Sequence, residues 1–158
     1  MLIHSIGLSH FLSFGASSAA VPLKPLNVII GTNGAGKSNL LEAIALLQST
    51  PDQLLRPIRE GGGVRDWLYK GGSGTPVACL DVVLNNPVGR PPLRYHLEFT
   101  EVGQRFEIVD ERIENEVPFR GNDRPYFYYQ FNGGHPLLNV KNERRALRRE
   151  DIDLERSI

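Results

Sequence analysis

The run Gly31-Thr32-Asn33-Gly34-Ala35-Gly36-Lys37-Ser38 stands between two apolar stretches of this sequence. Before it, residues 26–30 read Leu-Asn-Val-Ile-Ile, which is typical of a strand covered on both faces. After it, residues 39–48 place apolar side chains at helical spacing, and the Ser-Thr-Pro run at 49–51 is expected to end that helix. The sequence therefore predicts a strand, a glycine-rich loop and a helix in direct succession.

The run matches the phosphate-binding loop pattern, in which Gly31 and Gly36 are followed by Lys37 and Ser38. Glycines let the backbone curl so that successive N–H groups form an anion-binding nest, and the next helix adds the positive end of its dipole. Lys37 would bridge the β- and γ-phosphates, and the Ser38 hydroxyl would coordinate Mg²⁺. The alternative interpretation is a glycine-rich turn that only joins a strand to a helix.

The predicted site comprises the whole loop and the start of the helix. Lys37 is the predicted catalytic residue, and Ser38 is the predicted metal ligand. The predicted cofactor-binding residues are Gly31, Thr32, Asn33, Gly34, Ala35, Gly36, Lys37, Ser38 and Asn39.

Composition limits the other functions that the chain could have. The 158 residues include 18 Lys and Arg against 18 Asp and Glu, so the chain as a whole is not a polycation suited to coating nucleic acid or membrane. Cys79 is the one cysteine, which excludes an internal disulfide and argues against a cysteine-based zinc site, and the four histidines show no ligand spacing. No long apolar run or secretory signal is present, and we expect a cytoplasmic protein.

The patterning predicts four segments and an α/β fold. Residues 1–50 would form the phosphate-loop core within a mixed sheet, with strands over 2–14 and a turn near 15–18. Residues 51–76 would form a glycine-rich connection with a short helix within 64–69. Residues 77–140 alternate with period two and predict an antiparallel β-subdomain, and 141–158 is a charged, partly helical segment.

The burial pattern of two elements is also predicted. In the helix after the loop, Leu40, Ile44 and Leu47 are expected on one face, with Leu41 and Ala45 beside them. In the strand over 94–100, Tyr95, Leu97 and Phe99 are expected on one face and Arg94, His96 and Glu98 on the other.

Residues 6–14 and 26–44 resemble the start of the SMC/RecF/OLD-type ATPases, which are relatives of the nucleotide-binding domains of ABC transporters. The resemblance implies an N-terminal lobe of a longer AAA family ATPase that uses ATP and Mg²⁺ and pairs with a second ATPase head. It also implies work in DNA repair or anti-phage defence, with DNA or a nuclease or effector subunit as a partner. It further implies that Asn33 helps to position the γ-phosphate and that residues 11–14 lie near the adenine and ribose.

Two motifs of these ATPases are incomplete or missing. They need an apolar strand that ends in Asp-Glu, but Val82 follows Asp81 in the run 77–81, and Glu107 interrupts the apolar residues before Asp110 and Glu111. No Leu-Ser-Gly-Gly-Gln-like segment is present, and Gln130 is a weak candidate for the glutamine that contacts Mg²⁺. We therefore expect acidic residues outside this chain to position the attacking water.

Other interpretations stay open. The chain could be a scaffold that binds ATP without hydrolysing it, or a small-molecule kinase with a lid in residues 50–75, whereas a GTPase would need an Asn-Lys-x-Asp segment that is missing. The arginines at 144–145 and 148–149 are expected on an ion-paired helix face rather than on DNA. The aromatic run at 126–131 is expected to pack as a strand rather than stack on bases.

Overall fold

The protein is built on an antiparallel β-sheet with helices packed on one face. The structure is a computed structural model that describes residues 2–16, 19–87, 91–132, 134–140 and 143–146. The strands are β1 (Ile3–Ser9), β2 (Val21–Pro22), β3 (Ala78–Leu84), β4 (Leu93–Val102), β5 (Arg105–Asn115), β6 (Phe127–Asn132), β7 (His135–Val140) and β8 (Glu143–Ala146). The helices are α1 (Lys37–Gln53), α2 (Leu55–Glu60) and α3 (Val64–Trp67).

The eight strands form one sheet in the order β2-β1-β3-β4-β5-β6-β7-β8. Each neighbouring pair runs antiparallel, from β1–β2 to β7–β8. The antiparallel strands predicted after residue 77 are therefore confirmed, because hairpin connections without intervening helices favour this pairing. The mixed sheet that we expected around the glycine-rich loop is not found in the described part of the chain.

The prediction of a buried strand over residues 26–30 is wrong for this structure. These residues form neither a helix nor a strand, and Leu26, Val28 and Ile30 are 82%, 81% and 87% exposed. The apolar composition indicates a covered environment, but no strand among the described residues pairs with this segment. The segment is therefore an exposed, apolar lead into the glycine-rich loop.

Helix α1 begins at Lys37 and continues past the predicted stop to Gln53. Pro51 lacks an N–H group, so its position in the helix leaves the carbonyl of Leu47 without its usual partner. The hydroxyls of Ser49 and Thr50 both donate to the carbonyl of Leu46, at 2.7 and 3.1 Å, and hold this turn in place. Ser49 and Thr50 therefore support the last turns of α1 rather than ending it.

Helix α2 was not predicted, because the glycine-rich composition of residues 51–76 indicated a loop. Pro57 lies in the first turn of α2, where a proline removes no helical hydrogen bond. The short helix predicted within 64–69 is confirmed as α3.

The core lies between the helices and the inner face of the sheet. Helix α1 contributes Leu40, Ala43 and Leu46, with Ile44 and Leu47 partly buried against them. The predicted face of Leu40, Ile44 and Leu47 is therefore turned toward the core, whereas Leu41 is 58% exposed. The strands contribute Ile6, Leu8, Ala78, Leu80, Val82, Tyr95, Leu97 and Phe99. The predicted inward face of β4 is therefore confirmed.

Two predictions concern parts of the chain that the structure describes only in part. In the charged segment 141–158, the helical prediction differs from β8, which pairs with β7, and residues 141–142 and 147–158 lie outside the described residues. The turn near 15–18 is described only as far as residue 16. Among the described residues, no helix has the length and apolar character needed to cross a membrane.

Candidate functional site

The glycine-rich loop leads directly into α1. Gly34 and Gly36 have φ angles of 82° and 83°, in the left-handed region that glycine adopts with little strain. A Cβ at Gly34 would meet no atom within 4 Å, so the backbone conformation alone favours glycine there. A Cβ at Gly36 would lie 3.0 Å from the Ser13 hydroxyl oxygen, so Gly36 is required by conformation and by close packing.

The N-terminus of α1 faces this loop without a side-chain cap. Gly36 occupies the cap position, no side chain hydrogen-bonds to the cap, and the first turn contains no acidic residue. Helix N-terminal N–H groups that lack such partners attract anions, because they combine unsatisfied donors with the positive end of the helix dipole. Ser38 lies in this first turn, at the end of the helix that favours negative charge.

Lys37 folds back over the loop. Its ammonium donates to the carbonyl oxygens of Gly31 and Thr32, at 2.8 and 2.7 Å. These hydrogen bonds are exposed, so water can replace them when the side chain moves. An anion placed against the loop would compete with the two carbonyls for the ammonium group.

A turn that follows β1 contacts both the glycine-rich loop and the first turn of α1. Asn39 Nδ2 donates to Ser13 Oγ at 2.7 Å, which joins the first turn of α1 to residues 26 positions earlier. Phe14 lies beside Gly36, with its Cζ 3.5 Å from the position that a Cβ would take. Asn39 was predicted to belong to the site, but no sequence pattern indicates its contact with Ser13.

Phe11 has a structural role that the family resemblance did not imply. Its side chain is fully buried and makes edge-to-face contacts with Trp67 and Phe99, with ring centroids 5.7 and 6.3 Å apart. A fully buried ring of this kind cannot contact a bound base. Of the two phenylalanines in residues 11–14, only Phe14 lies beside the glycine-rich loop.

An apolar cavity of about 540 Å³ lies between the exposed segment 26–30 and the start of α1. Phe14, Val21, Leu23, Lys37 and Leu40 are among the residues that line it. The cavity shows that segment 26–30 does not pack closely on the helix.

The two acidic segments that partly matched the Asp-Glu motif have other contacts. Asp81 alternates with Leu80 and Val82, so it lies on the face of the sheet opposite α1. Burial alone would raise the pKa of Asp81, but hydrogen bonds with His96 and Arg94 hold it well below its ordinary value. Hydrogen bonds with Asp81 and Cys79 in turn raise the pKa of His96 to about 10.

Glu111 lies in β5 and binds tyrosines. Its carboxylate accepts hydrogen bonds from the hydroxyls of Tyr95 at 2.7 Å and Tyr129 at 3.3 Å. Burial and then the charge of Glu111 raise the pKa of both tyrosines. Glu111 therefore accepts hydrogen bonds from two tyrosine hydroxyls within the sheet. This role differs from that of a glutamate that positions the attacking water.

Gln130 lies opposite Arg112 in the register of β5 and β6. Cross-strand partners project to the same face of a sheet, and Arg112 shares its face with Asp110, away from α1. The structure therefore does not bring Gln130 to the glycine-rich loop. The aromatic run that surrounds it is half-buried.

Comparisons with known proteins identify relatives of part of this chain. The RecF DNA replication and repair protein of Idiomarina loihiensis is 42% identical over 79 residues, which cover 50% of this chain and 20% of that protein. RecF of Limosilactobacillus fermentum is 33% identical over 109 residues, which cover 68% of this chain and 26% of that protein. The chromosome partition protein Smc of a Synechococcus strain is 48% identical over 42 residues, which cover 27% of this chain and 4% of that protein.

These similarities place the chain among the AAA proteins of the SMC/RecF-like, ABC-type group. More particularly, residues 26–157 match the family described as "AAA domain, putative AbiEii toxin, Type IV TA system", and the chain belongs to this family. No solved structure matches the chain at a comparable level of significance. The chain spans about a fifth to a quarter of the length of the RecF proteins that it matches.

Proposed function

We propose that this chain binds ATP with Mg²⁺ and forms part of a longer ATPase of the RecF and SMC type. The observation that carries the proposal is the loop itself: two glycines with positive φ lead into an uncapped helix of 17 residues that has Lys37 and Ser38 in its first turn. Membership of an AAA family supports adenine nucleotide as the ligand.

The residues present fit this ligand chemically. The backbone amides of Gly34 to Ser38 would surround the phosphates, and Lys37 would exchange its two loop carbonyls for phosphate oxygens. Mg²⁺ would neutralise phosphate charge, and the Ser38 hydroxyl is the ligand that this chain offers to it. Phe14, beside Gly36, is the aromatic residue of this chain closest to the loop in the contacts described, and we assign it to the neighbourhood of the nucleoside.

Hydrolysis would need groups that the described residues do not bring to the loop. Asp81 and Gln130 lie on the opposite face of the sheet, and Glu111 is bound to two tyrosines. We therefore propose that another lobe of the longer protein, or a second ATPase head, supplies the acid that positions water. Work on DNA in repair is part of the same proposal and is supported by the RecF relatives, which are DNA replication and repair proteins. A role in anti-phage defence, with a nuclease or effector subunit as partner, is proposed from the resemblance of the sequence alone.

The exposed segment 26–30 supports a longer assembly. Contiguous exposed apolar side chains mark surfaces that another polypeptide covers. Leu26, Val28 and Ile30 are each more than 80% exposed directly before the loop. We propose that the rest of the longer protein pairs with this segment and converts it into the covered strand that its composition favours.

Calorimetry with Mg-ATP tests nucleotide binding. The wild-type chain should bind one nucleotide, and Lys37→Ala should weaken binding because it removes the ammonium that faces the phosphates. Lys70→Ala removes an exposed ammonium that pairs with Asp66 at 2.7 Å, away from the loop, and serves as the matched control. A folded wild-type chain that takes up no Mg-ATP would overturn the proposal.

A single-turnover assay with labelled ATP separates hydrolysis from simple binding. Turnover by the longer protein that Lys37→Ala abolishes would support the ATPase. Tight binding without turnover in the longer protein would instead support the scaffold that binds ATP without hydrolysing it.

A further inference from the structure

The sheet face opposite α1 carries a cluster of metal-binding side chains that cross-strand pairing brings together. In the register of β3, β4 and β5, Cys79 lies opposite Glu98, and Glu98 lies opposite Asp110. Asp81 lies opposite His96. These residues come from three adjacent strands, so their proximity depends on strand register rather than on spacing along the chain.

Cys79, His96 and Glu98 each offer one ligand atom, and these atoms all lie within 4.8 Å of one another. His96 is only 5% exposed, although it lies on the polar face of the sheet. Its Nε2 atom is buried and forms no hydrogen bond within the described part of the chain. The nitrogen lies close to two carboxylates that pair with the imidazole, and a metal ion bound at Nε2 would satisfy the nitrogen and both carboxylates.

The distances around His96 Nε2 match those between ligands of one metal ion. Nε2 lies 3.3 Å from Glu98 Oε1 and 3.8 Å from Asp110 Oδ2, and Cys79 Sγ lies 3.9 Å from the other ring nitrogen. Tetrahedral metal–ligand bonds of about 2.0–2.3 Å place ligand atoms roughly 3.3–3.8 Å apart. The two carboxylate oxygens are therefore spaced as ligands around Nε2, and Cys79 Sγ, which contacts Nδ1, would have to move toward Nε2 to complete the set.

The second nitrogen of His96 has the partner that metal-bound histidines usually have. Nδ1 lies 3.2 Å from Asp81 Oδ2. A carboxylate on one ring nitrogen orients the imidazole and leaves the other nitrogen as the ligand. The guanidinium of Arg94 in turn donates hydrogen bonds to Asp81, so Arg94 helps to hold the carboxylate that orients His96.

We propose that Cys79, His96 and Glu98 bind a zinc ion on this face, with Asp110 as the fourth ligand and Asp81 as the group that orients His96. Thiolate, imidazole and carboxylate together favour zinc over magnesium or calcium. Four carboxylates lie on this face, those of Asp81, Glu98, Asp110 and Glu114, and they pair with Arg94, Arg112 and the imidazole of His96. Zn²⁺ would take the place of the proton on His96 Nε2, because an imidazole binds a metal ion only in its deprotonated form. The sequence argued against a zinc site, because it has one cysteine and its histidines show no ligand spacing, and the proposed site differs from that expectation. Zinc binding on this face would not depend on nucleotide binding.

Zinc and cobalt titrations of the purified chain, after treatment with a chelator, test the site. One Zn²⁺ should bind per chain, and it should protect the Cys79 thiol from a thiol reagent until the chelator is added again. Co²⁺ in place of Zn²⁺ should give the thiolate-to-metal absorption of a tetrahedral site. Asp81→Asn should weaken Zn²⁺ binding by about 10- to 100-fold, as loss of an orienting partner does.

Variants identify the ligands. Cys79→Ser should remove the cobalt–thiolate absorption and weaken Zn²⁺ binding, whereas His135→Gln, which changes an exposed histidine in β7, should change neither. Zn²⁺ binding that Cys79→Ser leaves unchanged would overturn the proposal, as would a folded wild-type chain that binds no Zn²⁺. Thiol protection in the wild-type chain keeps the test valid if the buried His96 cannot be replaced without unfolding.

Discussion

The side-chain amide of Asn39 donates to the hydroxyl oxygen of Ser13 at 2.7 Å and thereby joins the first turn of α1 to the turn after β1. The same serine oxygen lies 3.0 Å from the position that a Cβ on Gly36 would take. The glycine-rich loop is therefore held from one side by a residue that no motif includes.

The Asn39–Ser13 contact should couple the two residues energetically. Asn39→Ala and Ser13→Ala each remove one partner of the hydrogen bond, so a double-mutant cycle should give a coupling free energy of about 0.5–1.5 kcal/mol. Urea unfolding of the single and double variants measures it. Gln48→Ala, which changes an exposed residue in the same helix, should show no coupling to Ser13→Ala. Strict additivity of Asn39→Ala and Ser13→Ala would mean that the contact is not formed in solution.

Alanine at the two loop glycines should have different costs. Gly34→Ala forces alanine into positive φ with no close neighbour and should cost about 1–2 kcal/mol. Gly36→Ala adds the contact with Ser13 and should cost more. Gly72→Ala serves as a control, since its Cβ would meet nothing within 4 Å and its φ lies outside the left-handed region. Equal costs for Gly34→Ala and Gly36→Ala in urea unfolding would show that the packing against Ser13 does not matter.

Glu111 should stabilise the sheet rather than act in hydrolysis. Glu111→Leu leaves the Tyr95 hydroxyl, in a residue only 7% exposed, without its acceptor and should cost about 1–3 kcal/mol in the free energy of unfolding. Glu111→Gln keeps an acceptor and should cost less. In the longer protein, Glu111→Gln should leave ATP turnover unchanged. A Glu111→Gln protein of normal stability that has lost turnover would identify Glu111 as the water-positioning residue after all.

The exposed segment 26–30 should promote self-association of this chain. Replacing Leu26 and Ile30 together by serine should shift the chain toward monomer in sedimentation velocity, because it removes contiguous apolar surface. The free energy of unfolding should change by less than about 0.5 kcal/mol, as expected at exposed positions. Leu41→Ser, which changes an isolated residue that is 58% exposed in α1, should not alter association. An unchanged sedimentation profile for the double variant would exclude this segment as the associating surface.

The sequence patterns predicted features within single strands and helices better than contacts between them. The period-two alternation of Tyr95, Leu97 and Phe99 identified β4 and its inner face, because alternation follows from strand geometry alone. The buried strand predicted over 26–30 was wrong, because an apolar composition indicates that a segment favours a covered position but does not identify what covers it. The nucleotide-binding roles of Lys37 and Ser38 stay predictions.

Long-range register was beyond the reach of sequence patterns. The most deeply buried residues of α1 are Leu40, Ala43 and Leu46, with the predicted Ile44 and Leu47 at the edge of the contact, and this exact rotation of the helix depends on how it docks on the sheet. Cys79 and Glu98 meet only because β3 and β4 pair in one particular register. Neither fact has a local sequence signal, because each depends on how two distant elements dock.

The pairing of β1 with β3 is the one contact between neighbouring strands of the described sheet that joins strands not consecutive in sequence. The meander from β3 to β8 closes by hairpins and can form early, whereas β1 must return across a loop of nearly seventy residues, which carries a larger entropic cost. Helix α1 packs in one core with Ile6 and Leu8 of β1, so α1 and the glycine-rich loop before it can dock fully only once β1 has paired. We therefore expect phosphate-binding competence to be the last property acquired as the chain folds, and an early intermediate to hold a finished meander that cannot yet bind nucleotide.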